Sequence, residues 1–180
     1  MSYSFKQFAR QVAVASGLVT IGMSAYAAQT STASASASAT IVSPIAITKT
    51  SDLVFGKLAV GAVGGNVAIS TADVVSISGA GTTVTQPAGS TGNPAAAVFG
   101  VTGEAGFTYA ITLPTDGAVT ISDGASHTMA VNGFVSNPGT SGTLSGAGTD
   151  TLKVGATLVV GNNQVAGTYT GTFNVTVSYN

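Results

Sequence analysis

Residues 167–180 read GTYTGTFNVTVSYN, and their alternation is nearly complete. Tyr169, Phe173, Val175, Val177 and Tyr179 share one face, interrupted only by Gly171; Thr170, Thr172, Asn174, Thr176, Ser178 and Asn180 share the other. Side chains of a strand alternate between faces, so this pattern offers one apolar side to a core and one hydroxyl-rich side to water. A long strand at the end of a sequence also presents an unpaired backbone row unless something lies beside it. The five apolar residues Tyr169, Phe173, Val175, Val177 and Tyr179 are therefore a candidate assembly edge.

The rest of the sequence offers no long helical pattern after residue 27 that is free of Gly or Pro. Strands are expected instead. ATIVSPIAITKT (39–50) reads as the first, with Pro44 marking an edge or bulge because it cannot donate to a ladder. Residues 53–60, 66–70 and 73–79 follow, and the Gly/Thr/Pro-rich stretch 80–95 reads as a weak strand plus loop. Stronger strands are expected at 96–103, 106–114, 118–122 and 127–135, with turns at Asp116-Gly117 and Asp123-Gly124. Leu144 lies in a short strand, and residues 151–161 form a strand broken by a bulge at Gly155. About ten short, closely spaced strands predict an all-β antiparallel sandwich.

Charge narrows the function classes. Only 6% of residues are charged, against roughly 25% in an average soluble protein. Lys49, Lys57 and Lys153 are scattered, so there is no basic cluster for phosphates and nucleic-acid binding is excluded. Lys6 and Arg10 precede a short apolar run from Val12 to Met23, and Ala25-Tyr26-Ala27 supplies a small-x-small site. This is the pattern of a secretory signal peptide over residues 1–27, too short to be a membrane anchor. The remaining chain then has no transmembrane segment and is expected in the periplasm, at the cell surface or outside the cell. It must hold together without disulfides, because there is no cysteine.

Residues 28–38 form a low-complexity Ala/Ser/Thr extension ahead of a domain at 39–180. A flexible linker is one reading. The other is an ordered donor strand, because Ala33, Ala35, Ala37, Ala39 and Ile41 keep strict alternation in phase with Ile45 and Ile47.

Few groups could carry chemistry. A nucleophile–base pair would need Ser126 and His127, but adjacent strand residues point to opposite faces. One histidine without cysteine does not make a zinc site. Asp116 and Asp123 are hard oxygen donors without calcium-loop spacing, and Asp-Gly is a common turn. The Gly-rich stretches lack the helix and lysine of a phosphate loop. No catalytic residue, cofactor or metal is expected.

Three segments in order carry a resemblance: ATIVSPIAITKTSDLVFG, VTGEAGFTYAITLP and LKVGATLVVGNNQVAGTYTGTFNVTVSYN. They resemble a family of exported bacterial proteins known as domain of unknown function 4402, over roughly residues 39–180. More distantly, Leu53-Val54-Phe55-Gly56 and the terminal GTY strand resemble spore coat U-like pilins and other chaperone–usher subunits. That likeness implies an immunoglobulin-like sandwich lacking its last strand, which a periplasmic chaperone and then the next subunit's extension would supply. The chain departs from those pilins in having no disulfide and in carrying alanines in its extension.

The function expected is a non-enzymatic structural subunit of a bacterial surface fibre or coat, self-associating or joining homologous subunits by β-strand donation, with a chaperone and an outer-membrane usher as partners. The alternative is a self-contained secreted adhesive or carbohydrate-binding module.

Overall fold

In a computed structural model, residues 29–87 and 93–180 are described. The expected signal peptide lies outside them. The chain divides between Ala39 and Thr40. Residues 29–39 are exposed and belong to no strand. Among the described residues no helix is long and apolar enough to cross a membrane.

Residues 40–180 form an all-β antiparallel sandwich. Its strands are β1 (Ala46–Ser51), β2 (Gly65–Ile69), β3 (Val75–Ser78), β4 (Ala97–Thr102), β5 (Thr108–Thr112), β6 (Val119–Ser122), β7 (Thr128–Asn137), β8 (Ser141–Thr143), β9 (Thr149–Val160) and β10 (Thr176–Tyr179). The larger sheet is built on β9. Along one edge of β9, β4 pairs with its first half and β2 with its second; β7 pairs along the other edge. β1 extends the sheet beyond β4, β3 beyond β2, and β6 beyond β7. The smaller sheet has the order β10-β5-β8.

β9 can play this part because of its pattern. Leu152, Val154, Ala156, Leu158 and Val160 are all buried, while Thr151, Lys153, Thr157 and Val159 face outward. The bulge expected at Gly155 is not there, and β9 runs unbroken. Gly155 serves the junction of β4 and β2 instead: a Cβ would run into the backbone of Ile69 and Ser70. The irregularity sits opposite, in β7, where the register shifts between Asn132 and Val135 and Gly133 adopts φ +58. Gly133 N donates to Asp116 Oδ1 (2.7 Å) and Gly117 N to Asn132 Oδ1 (2.9 Å), locking the bulge to the Asp-Gly turn.

Two expected strands are shorter than their alternation implied. The first begins at Ala46 rather than residue 39, and the last is laddered only from Thr176. Residues 53–60 are extended but make only isolated bridges, Val54 to Ala95 and Ala59 to Thr85.

The core has two parts. One gathers Ala97, Val101, Tyr109, Ile111, Leu144, Leu152 and Val154, where the smaller sheet covers β1, β4 and the first half of β9. The other gathers Val67, Val84, Val119, Met129, Val131, Ala156, Leu158 and Val160, behind the second half of β9.

Tyr109 anchors the first part. It is fully buried, and its hydroxyl donates to Asp150 Oδ2 at 2.8 Å. Burial, and then the neighbouring carboxylate, push the phenol above its ordinary range, so it stays a neutral donor. Its ring lies over Gly142, its partner on β8, where any Cβ would strike it. Gly142→Ala should therefore cost about 1–3 kcal/mol through overpacking, read as a lower urea midpoint with unchanged slope.

Candidate functional site

Among the described residues, the second part of the core has no covering sheet. Two segments outside the ladders take that place, residues 53–60 and residues 164–173, and a groove of about 1040 Å³ lies between them. Its floor is Val119, Ile121, Met129, Val131, Leu158 and Val160. The first wall contributes Leu53, Phe55, Leu58 and Val60, all half-buried. The inward phase shifts at Gly56, whose φ of +79 absorbs the extra residue. The second wall contributes Tyr169 and Phe173. Phe173 also meets Phe99 edge-on at 6.3 Å and Phe134 at 5.1 Å, which joins the two parts of the core.

Val54 exchanges both backbone hydrogen bonds with Ala95, Ala59 with Thr85, and Thr170 with Ser122. In an extended chain the neighbouring residues direct their N–H and C=O groups the opposite way. Those of Leu58, Val60, Tyr169 and Gly171 make no hydrogen bond among the described residues. The groove is thus apolar below and lined above by open backbone donors and acceptors. At the rim Lys49 Nζ and Asp52 Oδ1 pair with each other at 2.6 Å.

The candidate edge divides accordingly. Tyr169 and Phe173 face the groove, whereas Val175, Val177 and Tyr179 pack inside the sandwich, where β10 pairs with β5. Among the described residues β10 has no strand on its other side. Of the candidate donor residues, Ala33, Ala35, Ala37 and Ala39 are exposed and unpaired, and Ile41 is 96% exposed.

Tyr179 has a role that alternation alone did not reveal. Its hydroxyl donates to Ser43 O (2.8 Å) and accepts from Glu104 N (2.6 Å), while Ser43 N donates to Glu104 Oε2 (2.9 Å). The end of β10, the loop after β4 and the lead-in to β1 are clasped together. That Glu104 is the only glutamate in the chain was the one sequence signal of this clasp.

His127 finds Asp123 rather than Ser126. Its Nδ1 lies 2.6 Å from Asp123 Oδ2, and Ala125 N donates to the other carboxylate oxygen at 2.9 Å. These two bonds, His127 first, hold the Asp123 carboxyl below its ordinary range. The pair closes the β6–β7 turn, next to the Ser122–Thr170 bridge that holds the second wall. Asp116 is occupied by Gly133 N. Among the described residues no group of three or more His, Cys, Asp or Glu could hold a metal.

A carboxylate whose folded pKa is depressed adds stability above its unfolded value, about 3.9, and that stability is lost as the pH falls through the folded value. Acid titration of the urea midpoint should therefore decline less steeply below about pH 4 in His127→Ala than in the parent chain. Tyr179→Phe should leave Glu104 N and Ser43 O without their partner and cost about 1–3 kcal/mol, measured the same way.

The profile of a family described as domain of unknown function (DUF4402) matches residues 45–179. No curated protein and no solved structure matches. The matched span holds all the named strands but for the first residues' lead-in, both groove walls and the Tyr179–Glu104 half of the clasp. The chain belongs to the DUF4402 family.

Proposed function

We propose that the chain is a non-enzymatic, pilin-like structural subunit of a bacterial surface fibre or coat, exported from the cytoplasm and assembled by β-strand donation. The observation that carries this reading is the groove between residues 53–60 and 164–173. An extended segment laid there would meet an apolar floor with alternate side chains and open backbone groups on either side. That is the recognition mode in which main-chain hydrogen bonds give affinity and pockets give register. It would also give the second half of β9 the covering strand that the first half already has. In a fibre of this kind a periplasmic chaperone would occupy the groove before assembly and an outer-membrane usher would order the exchange. A surface solvated by hydroxyls, with 6% charged residues, suits close packing of many copies.

Leu58→Glu places a carboxylate against the groove floor, where an unpaired charge is strongly disfavoured. The exported parent chain should give filaments by electron microscopy and ladders on unboiled gels, and Leu58→Glu should give neither. A parent chain that stays a monodisperse, stably folded monomer would instead support a self-contained adhesive or carbohydrate-binding module.

A further inference from the structure

The groove is not alone in offering open backbone. We infer that β10 is a separate interface, at which the chain pairs edge to edge with the β10 of a second copy, Val177 opposite Val177 across a twofold axis. No residue of 174–180 lines the groove, so the pairing does not depend on strand donation.

The phase of the β10–β5 ladder fixes which backbone groups are open. Asn180 N donates to Thr108 O at 3.4 Å, whereas Ile111, opposite Val177, turns its N–H the other way, to Thr140 O at 2.9 Å. Antiparallel partners alternate between exchanging bonds and turning away from each other. Thr176, Ser178 and Asn180 therefore bond toward β5. Val175, Val177 and Tyr179 direct their N–H and C=O groups to the side where, among the described residues, β10 has no strand.

The other edges among the described residues are blunted against such pairing. β1 carries Lys49 and a register shift between Lys49 and Ser51. β3 is four residues long, between Asp73 and Gly79, both at positive φ. β6 is bridged through Ser122 to Thr170, and β8 has three residues. Residues 174–180, by contrast, contain no charge, Pro or Gly. Their end is also fixed in place: the Tyr179 hydroxyl is bonded to Ser43 and Glu104, and its ring meets Phe107 edge-on at 5.6 Å. An edge already ordered loses little freedom on pairing.

The sequence of the edge names its partner. Read outward from Val177 it is close to a palindrome: Thr176 answers Ser178, Val175 answers Tyr179, and Asn174 answers Asn180. Two copies laid antiparallel about Val177 set hydroxyl against hydroxyl and amide against amide on the outer face, and Val against Tyr on the inner one. Hydroxyl pairs and aromatic–β-branched pairs are among the favourable cross-strand neighbours. Val177 with Val177, and Val175 with Tyr179, exchange both backbone bonds. An axis on Thr176 or Ser178 breaks these matches. The contact uses the same patch on both copies and closes at two. Where strand donation builds a fibre, this pairing ties one fibre to the next.

The test uses the exported chain with its groove disabled by Leu58→Glu, so that donation adds nothing to the mass. Val165→Glu, on the exposed rim of the groove, replaces Leu58→Glu if circular dichroism shows that variant unfolded. By light scattering this chain should be a dimer. Adding Thr176→Lys with Ser178→Lys, both at exposed positions, sets like charges opposite each other and should halve the mass. Thr176→Lys with Ser178→Glu instead sets an ammonium opposite a carboxylate and should restore the dimer, which an axis on Thr176 or Ser178 would not do. A monomeric groove-disabled chain, a dimer unmoved by the like charges, or a monomer that the opposite charges do not rescue overturns the inference. These masses as expected, from a chain whose parent gives no filaments, overturn strand donation alone.

Discussion

Backbone N–H and C=O groups withdrawn from water must be paired, and along the groove walls that requirement is left open on both sides at once. The cause is the length of β9. Its twelve residues serve two different partners along one edge, β4 and then β2. Among the described residues, only the stretch beside β4 has a sheet packed over it. Beside β2, the covering layer thins to two extended segments, and the hydrophobic core there is closed by Leu53, Phe55, Leu58, Val60, Tyr169 and Phe173 from the sides. The same six residues give the groove its apolar character.

Where other proteins would use ion pairs, this one uses the hydrogen bonds of tyrosine hydroxyls. Tyr109 to Asp150, Tyr179 to Ser43 and Glu104, and Tyr169 to Val165 each bind a buried or half-buried ring to a polar group. The exposed pairs Lys49–Asp52 and Lys153–Asp73 are of the kind that contributes little. Asp73 still matters through its other oxygen, which accepts from Ala96 N at 2.8 Å and ties the β2–β3 turn to the start of β4. Backbone donation from Ala96, and then Lys153, hold its carboxyl below the ordinary range.

The fold was largely legible in the sequence. Alternation predicted β2, β3, β5, β6 and β9 nearly to their ends, because in those strands each inward side chain has a core to enter. It failed where strand-like patterning does not bring a ladder. Residues 167–175 and 53–60 carry strand-like apolar patterning, broken only at Gly171 and Gly56, but such patterning reports which face is apolar and is blind to what lies beside the backbone. Gly171 shows the difference. It was read as a gap in the apolar face, yet its missing Cβ is what lets the chain lie against Thr120 and Ile121. The clasp was hidden for another reason: Ser43, Glu104 and Tyr179 are far apart in the sequence, and none belongs to a spacing motif.

The position of β9 in the sequence has a consequence for how the domain forms. Its ladders join it to residues 65–69, 97–102 and 128–137, so none of them can close until the chain through residue 160 is present. Such non-local pairing carries a large loop-closure entropy, which slows folding relative to a protein built from local contacts. During that interval β2, β4 and β7 all lack the strand they share. A chain of this topology spends its time before folding as a set of exposed edges, which is when it is most open to pairing with the wrong neighbour.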